Sequence, residues 1–376
     1  MLANHGCVAR CRTPADTNET GVFPMRCKLL AVALIAACGG MGVNAAHAAA
    51  GDTTIGGKMY FDFTNINQKD NGAKTDASGT GIDVKRFYLS ISHQFDDIWS
   101  ANLTTDFNYV GNDGETNLFV KKAYVQGDFS KAARLRIGSA DMPWIPFVEG
   151  YYGFRYVENT LTDRLHMANS ADWGLHLSGK VGGGVDYAVS AVNGGGYKHP
   201  GRSKGVDFEG RVGFAPMDGM IVAVGGYSGK RGDDLQTSSA DNTASRGDAL
   251  IAYASKSFRL GGEYFTAKNW GNVTTPYQDK SDGYSVWGSV AVAPRVNLFA
   301  RYDHANLSKD IDPKAKDTYY NAGVEFDVTK GFLLSVAWKH EKQEGNPNLG
   351  VPVSVPFGWH ANRKTDEIGV WGQVAF

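Results

Sequence analysis

The stretch Thr365-Asp-Glu-Ile-Gly-Val-Trp-Gly-Gln-Val-Ala-Phe376 alternates in character from one residue to the next. One set of alternate positions is apolar or glycine, namely Phe376, Val374, Gly372, Val370 and Ile368. The other set contains the polar Gln373 and Glu367. This period predicts a β-strand with one apolar face. Terminal residues usually fray, so a chain that ends on a regular strand indicates that this strand has a partner. We expect it to pair with the first strand and close a barrel in a lipid bilayer. An edge strand of a soluble sandwich is the alternative for this stretch alone.

The composition agrees with many strands and turns. The 376 residues include 47 Gly and 12 Pro, with 12% aromatic and 20% charged residues. After the amino-terminal region no run of 18 apolar residues occurs, which argues against transmembrane helices. A closed β-barrel is then the structure that can cross a membrane.

The front of the chain is typical of an export signal. Met25-Arg26-Cys27-Lys28 supplies positive charge, residues 29–37 an apolar core, and Ala46-His47-Ala48 a cleavage site. We expect residues 1–24 to be an upstream extension before a true start at Met25, residues 25–48 a signal peptide and residues 49–376 the barrel. A lipoprotein box at Ile35-Ala36-Ala37-Cys38 is the alternative.

Cysteine and charge exclude several classes. All four cysteines precede Ala49. Cleavage after Ala48 would therefore leave no disulfide, thiol nucleophile or Cys-ligated metal. It would also leave 34 basic and 37 acidic residues, a net charge of −3 that does not suggest nucleic acid. The scattered histidines predict no metal site, and we expect no cofactor.

Sixteen strand-like segments follow, with boundaries uncertain by two to four residues. They lie near 53–67, 83–95, 98–110, 116–129, 132–140, 172–181, 185–193, 205–215, 219–229, 247–257, 259–269, 283–293, 295–305, 318–328, 331–342 and 365–376. Every second join is very short, as at Asp96-Asp97 and Pro294, and the others are longer and polar. Short turns at one rim and long loops at the other are typical of outer-membrane barrels. The segment 219–229 is apolar on both faces, which this pattern does not explain.

Aromatic residues recur at the ends of the predicted strands and predict two girdles at the membrane interfaces. The set near the short turns is Phe95, Trp99, Phe129, Phe214, Phe326, Phe332 and Phe376; the set near the loops is Tyr109, Trp173, Tyr284, Tyr302, Tyr320 and Trp338. The longest connection, residues 141–171, is also rich in aromatics. We interpret it as a loop that folds inward and narrows the lumen; a packed surface cap is the alternative.

A series of short motifs resembles the phosphate-selective porin O and P family, most clearly over residues 84–195. They are Arg86-Phe87-Tyr88-Leu89, Asp97-Ile98-Trp99, Lys122-Ala123-Tyr124-Val125, Leu135-Arg136-Ile137-Gly138, Pro143-Trp144, Asp172-Trp173-Gly174, Leu177-Ser178-Gly179, Asp186-Tyr187-Ala188 and Asn193-Gly194. The resemblance implies a sixteen-stranded, trimeric outer-membrane pore with an inward loop. Asp141 stands where the family pattern usually has a lysine.

The charge pattern bears on what passes through such a pore. Phosphate selectivity needs lumenal Arg and Lys, but on the predicted polar faces acids match or outnumber bases. We therefore expect passive diffusion of small hydrophilic solutes or ions, with a phosphate- or anion-selective pore as the alternative, favoured by a basic strip of Lys122, Arg134 and Arg136. The candidate pore-lining residues are Arg86, Lys122, Arg134, Arg136, Asp141, Glu149, Arg155, Glu158, Asp163, Arg164, Arg211 and Arg301.

Two other motifs point to different functions. His176-Leu177-Ser178 has the spacing of a lipid-hydrolysing outer-membrane barrel, although we expect both polar side chains to face the lumen and no enzymatic activity. Arg231-Gly232-Asp233 and Arg246-Gly247-Asp248 spell an adhesion tripeptide, which we attribute to chance. The expected partners are outer-membrane lipid, small solutes or anions, and two further copies of the chain in a homotrimer.

Overall fold

A computed structural model describes residues 50–108, 115–237, 242–346 and 360–376. The predicted extension and signal peptide, residues 1–48, lie outside these ranges. The strands are β1 (Thr53–Asp70), β2 (Ala73–Lys74), β3 (Gly79–Gln94), β4 (Trp99–Asn108), β5 (Asn117–Ser130), β6 (Ala133–Asp141), β7 (Ala171–Gly182), β8 (Val185–Val192), β9 (Asp207–Phe214), β10 (Met220–Gly229), β11 (Ala244–Ala254), β12 (Phe258–Lys268), β13 (Lys280–Ala293), β14 (Val296–Asn306), β15 (Lys316–Thr329), β16 (Phe332–Glu344) and β17 (Arg363–Ala375).

The strands form one closed antiparallel barrel. Each barrel strand pairs with its neighbour in sequence, and β17 pairs with β1 from Lys58↔Ala375 to Asp70↔Arg363. The two-residue β2 only extends the hairpin at the end of β1, so sixteen strands make the wall. The predicted sixteen-stranded fold is confirmed, including the pairing of the last strand with the first.

The seam between β1 and β17 depends on a glycine. The backbone N–H of Gly57 donates to the carbonyl of Phe376 at 3.0 Å, and Phe376 N–H donates to the carbonyl of Gly57 at 3.1 Å. A Cβ on Gly57 would lie 2.3 Å from the Phe376 ring. Glycine therefore lets the terminal aromatic ring lie flat across the first strand.

The outer face carries the predicted apolar side chains. Ile368 is 57% exposed and Phe63 54%, as expected for residues that face lipid rather than a protein core. Interfacial rings pack along the wall, with Tyr320–Trp338 centroids 5.2 Å apart at one level and Trp99–Phe129 5.6 Å apart at the other. Tyr109 of the predicted girdle lies outside the described residues.

The packing of β10 explains why the sequence segment 219–229 is apolar on both faces. Val222 and Val224 are exposed on the outer surface, whereas Ile221 and Ala223 face inward and are almost completely buried. The inward pair is covered by a polypeptide segment inside the lumen, described below. An apolar inner face is therefore the packing surface for that segment.

Two short helices, α1 (Ile145–Tyr152) and α2 (Leu161–Arg164), complete the described elements. No helix among the described residues is long and apolar enough to cross a membrane.

Candidate functional site

Residues 142–170 connect β6 to β7 and are called here the inward segment. Helix α1 begins next to Pro146, whose fixed φ suits the first turn, and ends at Gly153, which has a φ of +83°. Trp144, Val148 and Tyr152 are fully buried in one cluster with inward-facing residues of the barrel wall. The segment therefore packs against inward-facing side chains of the barrel wall.

Aromatic packing holds the amino-terminal half of the segment, which includes Tyr152 and Phe154. Phe154 stacks on Phe299 with centroids 4.4 Å apart, and Tyr152 meets Trp287 edge-on at 5.7 Å. A second cluster holds the carboxyl-terminal half, where Leu161, Leu165 and Met167 pack with side chains from β10 to β15 and the loops that join these strands. The members of that cluster are Leu161, Leu165, Met167, Tyr227, Ala244, Phe265, Ala267, Trp270, Val273, Ala305, Leu307 and Ala315.

Arg164 forms the most highly charged anchor of the segment. Its guanidinium lies 3.2 Å from Asp303, 2.6 Å from Asp317 and 2.6 Å from Glu341. Burial alone would lower the pKa of Arg164, but the three carboxylates raise it, so the side chain stays charged. Arg301, also paired with Asp303, donates to the carbonyl of Asn159 at 2.5 Å. These wall acids are thus bonded to the segment or to its supports.

Further charged contacts hold the rest of the segment. Lys339 lies 3.2 Å from Glu158 and 2.6 Å from Glu367. Burial alone would raise the pKa of Glu158, but Lys339, Arg164 and Arg301 bring it to about 2. Arg211 donates to the carbonyl of Pro143 at 3.1 Å. The segment is therefore held in place by Glu158, Arg164, Arg211 and Arg301. The alternation of polar residues in the sequence does not reveal this structural role.

Five of the predicted residues lie on the wall formed by β3 to β6. Lys122 lies 2.6 Å from Asp141, joining β5 to β6. Arg136 donates to Gln126 at 2.7 Å and stacks over the Tyr124 ring. Arg134 pairs with Asp128, and Arg86 lies 3.5 Å from Asp106.

Two lysines absent from the predicted set join this wall. Lys121 is 2% exposed, donates to the Tyr88 hydroxyl at 3.1 Å and lies over the rings of Tyr88 and Tyr197 at 4.7 and 5.4 Å. It was missed because the strand register shifts beside Thr104, so that Lys121 and Lys122 both turn inward. Two successive lysines in an alternating strand are the signal that could have revealed it. Lys58 of β1 is the second.

The segment presents its own charges to these lysines. Arg155 lies 2.5 Å from Glu149 and 3.2 Å from Asp163. Burial would lower the pKa of Arg155, but the two carboxylates hold it well above its usual range. Lys58 lies within electrostatic range of Glu149, Arg155 and the lysine pair of β5. We call this set the constriction: Lys58, Arg86, Lys121, Lys122, Arg136 and Arg155, with Asp106, Asp141, Glu149 and Asp163.

The remaining motifs have structural roles. His176 contacts Ser190 Oγ at 2.8 Å and the Asp172 carbonyl at 3.2 Å, so both ring nitrogens are engaged away from Ser178. Arg246 is buried against Glu209 and Asp248. Arg231 lies over the Trp270 ring at 4.6 Å. Among the described residues, His176 is therefore not paired with Ser178, and the tripeptide at Arg246 is buried, whereas Asp233 of the other tripeptide is exposed.

A closed barrel, a segment packed against its inner wall and inward-facing charged side chains together describe a channel, and comparison with known families supports this. A family model described as Gram-negative porin matches residues 31–346. The chain belongs to the Gram-negative porin family. The porin is accordingly an outer-membrane channel, and the resemblance inferred from short motifs is correct at this level.

Solved structures share the fold of this porin at low sequence identity. The anion-selective porin from Comamonas acidovorans is 13% identical, with coverage of 86% of this chain and 99% of the other and a TM-score of 0.58. The outer membrane channel DcaP of Acinetobacter baumannii is 11% identical, with coverages of 87% and 98% and a TM-score of 0.61. OmpT of Vibrio cholerae in its trimer form is 14% identical, with coverages of 87% and 100% and a TM-score of 0.53. No curated protein is significantly similar to the chain.

Proposed function

We propose that this porin, a passive diffusion channel for small hydrophilic solutes and ions, favours anions at the constriction. The observation that carries the proposal is the division of charges between the two sides of the inward segment. Many of the wall acids that the sequence pattern directs inward are buried in contact with the segment or its supports. Five basic residues of the constriction lie on the wall of β1 and β3 to β6, whereas bases on the wall that carries these acids, such as Arg301 and Lys339, are paired with carboxylates.

Each of these buried acids has at least one bonding partner. Asp303 and Asp317 are 0% exposed and bind Arg164, and Glu263 is 2% exposed and accepts from Trp144 and Thr162. A carboxylate that is neutralised and withdrawn from water contributes little field to the passage. Counting inward-facing acids by alternation therefore overstates the negative charge that a solute meets.

The basic side is incompletely neutralised. Of the ten charged residues in the constriction, six are basic and four are acidic. No carboxylate of the described residues lies within ion-pair distance of Lys58, Lys121 or Arg136. Lys121 and Arg136 contact neutral hydroxyl, amide and aromatic groups, which leave their positive charge uncompensated. A passing anion can exchange part of its hydration for Lys58 and Arg136, which are only partly buried.

The test is the reversal potential of single channels in a planar bilayer under a KCl gradient. The wild-type reversal potential should lie on the chloride side of zero. Lys58→Glu should move it toward the potassium side, whereas Lys330→Glu, in an exposed short turn outside the constriction, should leave it nearly unchanged. A wild-type reversal potential on the potassium side would contradict anion preference while leaving the diffusion channel intact.

Phosphate selectivity is a second candidate, as the motif resemblance implies. The three cations without a carboxylate partner favour it, since several donors can share one phosphate. The Lys122–Asp141 pair weakens it, because Asp141 occupies the position of a lysine in the family pattern. Block of chloride current by millimolar phosphate, reversed in Lys121→Met, would support it; chloride current indifferent to phosphate would exclude it.

We further propose that the porin is a homotrimer bound to outer-membrane lipid and reaches the membrane after cleavage at Ala48. The trimer form of OmpT, a structural neighbour, supports the first point. Light scattering of the detergent-extracted porin should give the mass of three chains plus detergent, and a one-chain mass would contradict it. Amino-terminal sequencing of the mature porin should begin at Ala49.

A further inference from the structure

His166 has an unusual backbone conformation just after α2. Its φ is +53°, a left-handed value that costs a residue with a side chain roughly 1–2 kcal/mol. Two hydrogen bonds hold the backbone in this conformation. The N–H of His166 donates to the carbonyl of Asp163 at 3.1 Å, and the carbonyl of His166 accepts from the Trp270 indole at 2.8 Å. Strained residues of this kind are concentrated at functional sites, so we asked what the side chain of His166 faces.

The conformation turns His166 away from the packing of its neighbours in the chain. Leu165 and Met167 are 2% and 0% exposed and belong to the second hydrophobic cluster, whereas His166 between them is exposed. Every residue of the inward segment is described, and His166 is the only ionisable one that is exposed. Because the segment packs against the inner wall, its exposed side faces the lumen. His166 therefore presents an imidazole to lumenal water.

Cations from three other elements face this imidazole. Arg86 on β3, Lys198 in the loop after β8 and Arg231 in the loop after β10 all lie within electrostatic range of His166. Arg86 is one of the constriction residues. The ring of His166 therefore lies beside the basic part of the passage.

Two further groups define the surroundings of the ring. Asp163, on the same segment, is the acid within electrostatic range, and it is already 3.2 Å from Arg155. Trp270, in the loop after β12, donates to the His166 carbonyl and lies under the guanidinium of Arg231 at 4.6 Å. The indole therefore fixes His166 and one of its cationic neighbours relative to each other.

The charge of His166 changes near neutral pH. Partial burial is the largest cause that lowers the pKa of His166 below its ordinary value of 6.5, Asp163 opposes this, and the three cations lower the pKa further. The ring is therefore largely neutral at neutral pH and gains its proton below pH 6.5. Loss of the Glu158 anchor belongs to a separate, more acidic range below pH 4.5.

We propose that His166 is a selectivity-determining residue, whose protonation adds a fourth cation to Arg86, Lys198 and Arg231 and strengthens the preference for anions. The inference rests on the proposed function, because it concerns the ions that pass the constriction. A protonated imidazole has two N–H donors and a full charge, and a cation that faces a narrow passage raises the local concentration of anions. The neutral ring contributes neither effect fully. The anion preference therefore increases as the medium becomes acidic.

The test is the chloride-to-potassium permeability ratio, obtained from single-channel reversal potentials at about pH 8 and about pH 5. In wild type the ratio should rise about twofold or more on acidification. His166→Asn should show a smaller rise, because asparagine accepts the left-handed backbone and does not titrate. His166→Lys should give the acidic wild-type ratio at both pH values.

A matched control separates His166 from other titrating groups. His304→Asn removes a histidine from the outer face, where its ring lies 5.9 Å from that of the exposed Tyr284, and this variant should titrate like wild type. Protonation of wall carboxylates would raise the ratio in every variant, so the measured quantity is the difference between wild type and His166→Asn. That difference should shrink in about 1 M KCl, where the Debye length is about 3 Å.

Other outcomes distinguish the alternatives. An equal rise in wild type and His166→Asn, or no effect of His166→Lys at about pH 8, would overturn the inference. A purely structural role would change the conductance or noise of His166→Asn at both pH values and leave the rise intact, which also overturns it. If His166→Asn gives no conducting barrel, His166→Gly takes its place, because glycine adopts this backbone without strain.

Failure of the proposed anion preference can be told apart from failure of this inference. A wild-type reversal potential on the potassium side at both pH values would contradict the anion preference. A shift toward chloride on acidification that is lost in His166→Asn would, in the same recordings, still support the role of His166.

Discussion

The indole Nε1 of Trp144 donates a hydrogen bond to Glu263 Oε1 at 2.8 Å, although the two residues lie 119 positions apart. The hydroxyl of Thr162 donates to the same oxygen at 2.9 Å. Trp144 precedes α1 and Thr162 lies in α2, so one wall carboxylate joins both helices of the inward segment. The three side chains are buried, and loss of the acceptor leaves donors without water to replace it.

Glu263→Ala is expected to loosen the segment. Each buried donor left without a partner costs about 1–3 kcal/mol, which favours states in which the segment leaves the wall and the passage widens. Single-channel recordings should show higher or fluctuating conductance. Glu263→Gln is the control, because its carbonyl still accepts a hydrogen bond, and it should stay near wild type. Identical conductance for Ala and wild type would contradict the anchoring role.

Arg164→Met is expected to have a larger effect on stability. Removal of one partner from a buried ion-pair cluster typically costs about 3–5 kcal/mol, and here Asp303 and Asp317 would remain buried with less compensation. The midpoint of unfolding in guanidinium should fall, and the open channel should become noisy. Adding Asp317→Asn to the same chain should restore part of the midpoint. An unchanged midpoint for Arg164→Met would show that the cluster does not hold the segment.

Gly225 on β10 is expected to be intolerant of a side chain. A Cβ there would lie 2.7 Å from Cε3 of the Trp144 ring, whereas a Cβ on Gly247 of β11 would approach nothing closer than 3.6 Å. Gly225→Ala should therefore displace Trp144 and alter its fluorescence and the channel conductance. Gly247→Ala should do neither. Equal fluorescence and conductance in the two variants would contradict the prediction that contact between Gly225 and the Trp144 ring positions the segment.

The barrel could be predicted from sequence because its rules are local. Alternation and turn residues identify each strand, and pairing then follows chain order, so the sixteen strands and the closing pair β1–β17 are confirmed. The inner surface obeys no such local rule. Ile221 is apolar on a lumenal face because α1 covers it, and α1 comes from a segment about seventy positions earlier in the chain.

The accessibility of the lumenal charges could likewise not be predicted from the sequence alone. Alternation places Asp303 and Glu263 on the lumenal side but cannot show that the inward segment buries them. It also assumes an unbroken period of two residues. The register shift beside Thr104 interrupts this period, so the alternation does not identify Lys121 as an inward-facing residue. The sequence thus predicts which charges face inward, whereas contact between distant elements decides which of them a solute can meet.

Acidification is expected to release the segment at Glu158. The pKa of this carboxyl is about 2 in the folded porin, against an ordinary value of 4.5. Because the folded value is the lower one, its contact with Lys339 stabilises the docked segment fully above about pH 4.5 and is lost as the pH falls toward 2. The contribution is at most about 3 kcal/mol. Conductance should hence rise or fluctuate between pH 4.5 and 2 in wild type. Glu158→Gln cannot titrate there and should show a flatter profile over that window; a wild-type profile as flat as the variant's would remove Glu158 as an anchor.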